Sequence, residues 1–318
     1  MNPNIAIIIP CYNEEVTIAK VIGDIHTALP DATIYVYDNN SKDHTAEIAK
    51  AAGAIVRREA QQGKGHVVRR MFRDIDADFY LMVDGDDTYD AAVAPQMLAL
   101  AISGPFDLVN CIREETEDAA YRNGHRWGNA MLTGVVQRIF GDRVQDMLSG
   151  YKIFSRRFVK SFPALSHGFD IETELTVHAL ELAMPVAHVQ GSYHGRPQGS
   201  ESKLRTYRDG WRILMMILKL VRHERPLFFF GIISSLLALT SILISIPIVF
   251  TYLETGLVPR LPTAVLSTGI MLLAALGLFA GVILDTVSRG RREVRLLAYL
   301  QHPPFPMADK HSGITLRS

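Results

Sequence analysis

Cysteine is nearly absent. Cys11 and Cys111 are the only two in 318 residues, too few for a disulfide scaffold in a chain of this length. An excess of either charge is also missing, since Lys plus Arg and Asp plus Glu both number 33 and the formal net charge is zero. With 48% hydrophobic residues, that balance excludes a disordered chain, which combines low hydrophobicity with high net charge. Several enzyme signatures are lacking too. No G-x-G-x-x-G follows the first apolar run, there is no P-loop spacing, and no G-x-S-x-G elbow or Cys/His nucleophile arrangement stands out. His66, His125, His167, His178, His188 and His194 are scattered without zinc-ligand spacing. No basic face interleaved with aromatics points to a nucleic-acid partner. The opening residues, MNPNIAIIIPCYNEE, carry no basic n-region or cleavage site, so no signal peptide is expected.

Long hydrophobic runs are present, but only two. The mean hydropathy of +0.12 is high for a soluble enzyme, yet far more of the chain would have to be apolar in a multi-span transporter. Residues 227–250 and 263–284 contain no charged side chain. Each run exceeds the roughly 20 residues that cross about 30 Å of hydrocarbon. Buried core helices are the alternative, but these seldom exceed about 14 apolar residues without a polar face. The expectation is a transmembrane hairpin over 226–288, its connection at 251–262 carrying only Glu254 and Arg260. Lys219, Arg222 and Arg225 precede the first run; Arg289, Arg291, Arg292 and Arg295 follow the second. By the positive-inside rule the N-terminal region and both termini face the cytoplasm, at a cell inner membrane or its equivalent. Residues 203–225 read as a basic amphipathic helix in the headgroup layer, with a helix on the soluble domain as the alternative. Residues 289–318 read as a basic cytoplasmic tail, flexible after Pro303-Pro304.

Residues 1–202 alternate between strand and helix patterns. Strands are expected at 4–9, 33–37, 54–56, 79–83 and 107–110, and helices at 15–29, 64–75 and 93–102, with another closing at Gly53. Such alternation predicts a mostly parallel, Rossmann-like sheet with helices on both faces and a ligand crevice beyond the carboxyl ends of its strands. The polar clusters PCYNEE, DNNSKD and DGDDTYD fall at those ends. In the last of them Asp84, Asp86, Asp87 and Asp90 lie within seven residues. Carboxylates so crowded repel unless a cation or basic groups neutralise them, and hard oxygen donors suit Mg2+ or Mn2+. An acidic surface loop is the alternative. Asp38, ending the second strand, stands where an acidic residue commonly meets a ribose or base. Lys64 opens a helix and is placed to meet an anion.

Taken together, IIIPCYNEE, VYDNNSKDHT, GKGHVVRRMF, LMVDGDDTYD, DMLSGYKIFSRR, FDIETEL and YHGRPQGSESKLRTYRDG resemble family-2 glycosyltransferases of GT-A fold. The resemblance is closest to polyprenyl-phosphate glycosyltransferases related to dolichol-phosphate mannose synthase, and it covers about residues 4–215. It implies that Pro10, Tyr12, Asn13 and Glu14 line a nucleotide-sugar pocket, with Asp38, Asn40 and Lys64 nearby. Asp84 and Asp86 match the D-x-D that brings Mg2+ or Mn2+ to the donor diphosphate. Asp146, Ser149 and Gly150 match the D-x-x-S-G segment beside sugar and acceptor. Arg196 and Lys203 match basic residues on a loop closing over phosphates. Two departures occur: relatives often carry an aspartate pair at Asn39-Asn40, and Gln at Thr88.

The implied activity is inverting transfer of a sugar from a UDP- or GDP-linked donor to a membrane undecaprenyl or dolichyl phosphate. A phosphate whose second ionisation lies near pH 6 is already a nucleophile, so no strong general base is required. Asp86, Asp146, Arg196 and Lys203 are then the expected catalytic residues, and Arg122, Arg126, Ser149, Arg196 and Lys203 the expected acceptor-phosphate contacts. Glu172 and Glu174 are expected to serve structure or orientation, and Cys11 packing. Two alternatives remain open. One is a membrane transferase acting on a sugar hydroxyl of a glycan or lipid-linked acceptor, which would need Asp146 or Glu172 as base. The other is a non-catalytic nucleotide-sugar-binding subunit. A homo-oligomer is neither required nor excluded.

Overall fold

The computed structural model of the chain describes residues 2–115, 145–164, 171–195 and 221–306, together with Gly134, Gln137, Met215 and Leu218. It divides into two compact units, Met1–Trp211 with Arg295–Ser318, and Arg212–Val294.

In the first unit β1 (Ile5–Cys11), α1 (Ile18–Ala28), β2 (Thr33–Asp38), α2 (Thr45–Ala51), β3 (Ile55–Arg58), α3 (Lys64–Asp74) and β4 (Phe79–Met82) follow the expected alternation. A 3-10 turn, Ala91–Val93, leads into α4 (Ala94–Ser103) and β5 (Leu108–Glu115). Then come β6 (Lys152–Ser155), α5 (Arg156–Ser161), α6 (Ile171–Glu181) and β7 (Val186–Tyr193). The described strands form one seven-stranded sheet in the order β3-β2-β1-β4-β6-β5-β7. The β1–β2, β1–β4, β2–β3 and β5–β7 pairs are parallel, while β6 runs antiparallel to β4 and β5. The sheet is thus mostly parallel, as the alternation predicts.

Strand periodicity sorts the core into two layers. In β1, Ile7, Ile9 and Cys11 join Phe79 and Leu81 of β4 and Ile153 of β6 on the face covered by α1 and α4. On the opposite face Ala6, Ile8, Tyr80, Met82 and Phe154 pack under α3, α5 and α6. A strand covered on both sides needs apolar residues at every position, which is why β1 reads as an unbroken Ile-rich run. The helices contribute stripes at helical spacing: Ile18, Val21, Ile22 and Ile25 from α1, and Val67, Val68, Met71 and Phe72 from α3. The order turns back between β1 and β4, since β2 and β3 extend the sheet to one side of β1 and β4 lies on the other. That is the switch point at which parallel sheets open a crevice.

The first unit also includes the chain's final described residues. Tyr299 donates to Asp107 at 2.8 Å, the Arg157 guanidinium lies 4.8 Å from the Tyr299 ring centre, and Arg295 pairs with buried Glu181. Phe305 packs on Phe79 with ring centres 5.3 Å apart. Residues 289–300, expected as tail, are helical, because no proline interrupts them before Pro303.

The second unit is formed by α7 (Pro226–Thr255) and by the greater part of α8 (Leu261–Leu300), two helices long and apolar enough to cross a membrane. Beyond Pro226 at the start of α7, its buried positions are small: Ser234 and Ser241 on α7, Ser267, Ala274 and Gly281 on α8. Their seven-residue spacing places them on one seam per helix. Ser241 Oγ donates across it to the Ser267 carbonyl at 2.7 Å. Small side chains let apolar helices approach where no hydrophobic drive exists between them. The exposed large side chains of both helices are mostly Leu, Ile, Val and Phe.

Candidate active site

The polar loops beyond β1 and β2 are tied to each other. The Asn13 amide donates to Ser41 Oγ at 3.0 Å, Asn13 Oδ1 accepts from the Lys42 amide at 2.8 Å, and the Glu14 amide donates to Thr45 Oγ1 at 2.8 Å. Asn13 and Asn40 both adopt left-handed backbone, φ 53° and 65°, which Asn tolerates better than most residues. Asp38 is buried and accepts from the Ser41 amide at 3.2 Å. Pro10 and Tyr12 are half-buried at the same end.

The Asn39-Asn40 departure has a physical reason. Asn39 donates to the carbonyls of Glu59 and Gln61 at 3.1 and 2.7 Å while accepting from the Gly63 amide at 2.7 Å. Asn40 donates to the Ala60 carbonyl at 2.8 Å and accepts from Arg58. A carboxylate could not donate to these carbonyls. The asparagines thus hold the 59–63 segment that delivers Lys64 to the crevice.

The four clustered aspartates separate into distinct environments. Asp87 pairs with Lys20 at 2.7 Å, and Asp90 accepts from the Ala92 amide at the start of the 3-10 turn. Asp86 is 4% exposed and accepts from Thr88 Oγ1 at 2.6 Å, so the threonine fixes this carboxylate. Asp84 lies against Gly150: a Cβ built there would fall 2.2 Å from Asp84 Oδ2. On its other oxygen Asp84 accepts from Lys64 at 2.5 Å, and Lys64 also meets Glu172 of α6 at 2.5 Å. Burial alone would pull the Lys64 ammonium down; the two carboxylates outweigh it and hold the ammonium charged. Burial pushes Glu172 up despite its lysine partner.

Asp146, at φ 49°, is gripped on both oxygens by Arg113, with Nε at 2.7 Å and Nη2 at 2.6 Å. Burial would raise this carboxyl, but the guanidinium beside it holds it below the usual carboxylate range. Ser149 is fully buried, and the Gly150 amide donates to Tyr89 Oη at 2.7 Å. Cys111 is buried and its thiol is pushed up to about 12, so it is inert packing, as is buried Cys11.

Among the expected site residues the structure therefore brings Asp84, Lys64 and Gly150 together. It places Asp38, Asn40, Asn13 and Glu14 in the two stitched loops, and sets Asp146 in an ion pair. Arg122, Arg126, Arg196 and Lys203 lie outside the described residues. Arg113, Asn110 and Lys152 were not singled out by motif or spacing. For Lys152 a signal existed, a lone charge inside the apolar strand YKIF. Among the described residues no group of three or more His, Cys, Asp or Glu side chains is placed to hold a metal. Asp84 and Asp86 are the carboxylates expected to meet a Mg2+- or Mn2+-type ion, which commonly takes one or two and completes its shell with substrate phosphates and water.

Comparison with known proteins agrees with this architecture. The family model for glycosyl transferase family 2 matches residues 6–162. The glycosyltransferase AglJ of Haloferax volcanii is 31% identical over 290 residues, covering 91% of this chain and 95% of that protein. A dolichyl-phosphate hexose transferase of the same organism is 27% identical over 222 residues, 70% of this chain and 96% of its own length. In fold, the chain resembles glucosyl-3-phosphoglycerate synthase from Mycobacterium tuberculosis, solved with Mn2+, uridine diphosphate and phosphoglyceric acid. The TM-score is 0.57 at 21% identity, over 69% of this chain and 78% of that one.

Proposed function

The chain belongs to glycosyl transferase family 2 and is a glycosyltransferase, and on that footing we propose that it moves a hexose from a nucleotide sugar to a membrane polyprenyl phosphate with inversion. One observation carries the choice of acceptor. The two carboxylates expected as bases for a hydroxyl acceptor are each engaged by a cation, Asp146 by Arg113 and Glu172 by Lys64. A phosphate acceptor is largely dianionic at neutral pH and needs no base, so a site with its bases locked in ion pairs suits it. The dolichyl-phosphate hexose transferase relative supports the same class of acceptor.

In this reading the loops beyond β1 and β2 hold the nucleoside, with Asp38 facing ribose or base and Pro10, Tyr12, Asn13 and Glu14 shaping the pocket. Asp84 and Asp86 hold a divalent cation, which when bound neutralises charge on the departing diphosphate. Thr88 fixes the Asp86 carboxylate and Gly150 leaves room for that of Asp84. Lys64 bridges Asp84 and Glu172. Arg122, Arg126, Arg196 and Lys203 supply cations for the acceptor phosphate and the diphosphate. A single displacement at the anomeric carbon inverts it. The two apolar helices span the bilayer with both termini cytoplasmic, so enzyme and lipid share one membrane.

The test is a panel of labelled UDP- and GDP-sugars with polyprenyl phosphate and the full chain in membranes, followed by lipid extraction. Label should enter the lipid from one donor, stop in excess chelator, and stop in Asp86→Ala without loss of membrane insertion. Undiminished transfer in chelator or in that variant would overturn the metal assignment.

A further inference from the structure

We propose that Lys152 is a positioning residue for sugar transfer, its buried ammonium setting, through Asn110, the 145–150 segment that lies against Asp84. The inference rests on the functional reading of Asp84 above. Lys152 opens β6 opposite Met82 of β4 and Asn110 of β5, and its exposure is 0%. It shares a sheet face with Phe154, where an apolar side chain of equal length would fill the space without desolvating a charge. The lysine instead makes one short contact, Nζ donating to Asn110 Oδ1 at 2.5 Å.

That contact determines the orientation of the asparagine. An ammonium only donates and a carbonyl only accepts. With Lys152 on Oδ1, the Asn110 amide group must face the other way, and it donates to the carbonyls of Gln145 and Asp146 at 2.8 and 3.2 Å. Those carbonyls belong to a segment that needs holding, because Asp146 occupies left-handed backbone, a conformation costly for a residue with a Cβ. From there the segment turns through Ser149, whose amide reaches the Asp146 carbonyl at 3.5 Å, to Gly150 beneath Asp84. Among the described residues Lys152 hydrogen-bonds to Asn110 and to none of the expected substrate contacts, so it acts on transfer through this relay.

The charges that act on the ammonium are those of Lys64 from α3, Glu172 from α6, Arg113 from β5, and Asp146 from the 145–150 segment. Burial pulls it down to about 8, with Arg113 and Lys64 adding to the fall and Asp146 and Glu172 opposing it. Loss of the proton slightly above neutral pH weakens the grip on Asn110.

The experiment follows nucleoside diphosphate release by the full-length protein across about pH 6.5–9.5, using whichever donor and acceptor it accepts, a lipid phosphate or another acceptor. Failure of polyprenyl phosphate as acceptor defeats the functional reading alone, because this readout does not depend on it. Wild-type kcat should fall through a one-proton limb near pH 8 while KM for the donor holds. Lys152→Met should lower kcat at pH 7 by about 100-fold, as sub-ångström to 1 Å misplacement does, and remove the limb. Lys152→Arg should restore kcat to within about tenfold and carry the limb out of range. Asn110→Leu should match Lys152→Met, with no further loss in the double variant. Wild-type kcat in Lys152→Met, or additive losses in the double variant, would overturn the proposal. Should Lys152→Met fail to fold, Asn110→Leu decides, since wild-type kcat in that variant also overturns the proposal.

Discussion

Gly150→Ala isolates the contact on which the metal assignment depends. A methyl group there would lie 2.2 Å from Asp84 Oδ2 and 2.8 Å from its Cγ, whereas ordinary contact begins at 3.4 Å. The carboxylate must therefore retreat by about 1.2 Å or the 149–150 backbone must yield. The side chain gives way first, because the atom met is the far end of an aspartate that is 27% exposed. Folding should be little affected. Function should suffer heavily, since misplacing a reacting constellation by about 1 Å costs about 100-fold, or about 2.7 kcal/mol of transition-state stabilisation. The assay pairs a thermal melt with sugar transfer titrated against Mn2+. The expected result is a melting temperature within about 3 °C of wild type, kcat down about 100-fold and a weaker metal dependence. Wild-type kcat and metal response would refute the placement of Asp84 in the metal site.

Arg113→Met should cost about 3–5 kcal/mol in denaturant unfolding at pH 7, because it strands the buried Asp146 carboxylate. The folded Asp146 carboxyl lies below its unfolded value, so its stabilisation is present above about pH 3.9 and lost as pH falls through the folded value; the variant should lack this part of the acid limb. Tyr299→Phe should cost about 1.5 kcal/mol by removing a donor to the Asp107 carboxylate, read as a lower melting temperature with kcat unchanged. Gly281→Leu should destabilise the paired helices in a detergent melt, since even a Cβ there would meet Phe230 Cβ at 2.9 Å and the Leu227 backbone at 3.5 Å. An unchanged melt would contradict the small-residue seam.

The parallel part of the sheet was legible because its strands are short, β-branched and separated by amphipathic helices. β1 to β4 and α1, α3 and α4 follow that pattern closely. The antiparallel β6 and the edge strand β7 were not, because YKIF carries a charge in an apolar run and VAHVQGSY alternates weakly. The extent of helix α6 hid for a related reason. It is buried on all sides, Glu172 and His178 included, so it shows no polar face and no helical period. At the site, the acidic cluster and the loop asparagines announced themselves by position after strands. Which carboxylate meets which cation did not, because Lys64–Glu172 and Arg113–Asp146 join residues 108 and 33 positions apart. Only the closed sheet brings such partners into contact. Asp146, expected among the catalytic residues and as a base only for a hydroxyl acceptor, is held by Arg113 in the fold.

The most direct measurement compares polyprenyl phosphate with the same polyprenol lacking its phosphate, each given to the full-length enzyme in liposomes with its accepted nucleotide sugar. The account predicts one sugar per lipid on the phosphate substrate, joined through a phosphodiester of inverted anomeric configuration, and no product from the alcohol. Equal transfer to the free polyprenol would contradict it, for that reaction needs a base, and Asp146 and Glu172 are both held in ion pairs.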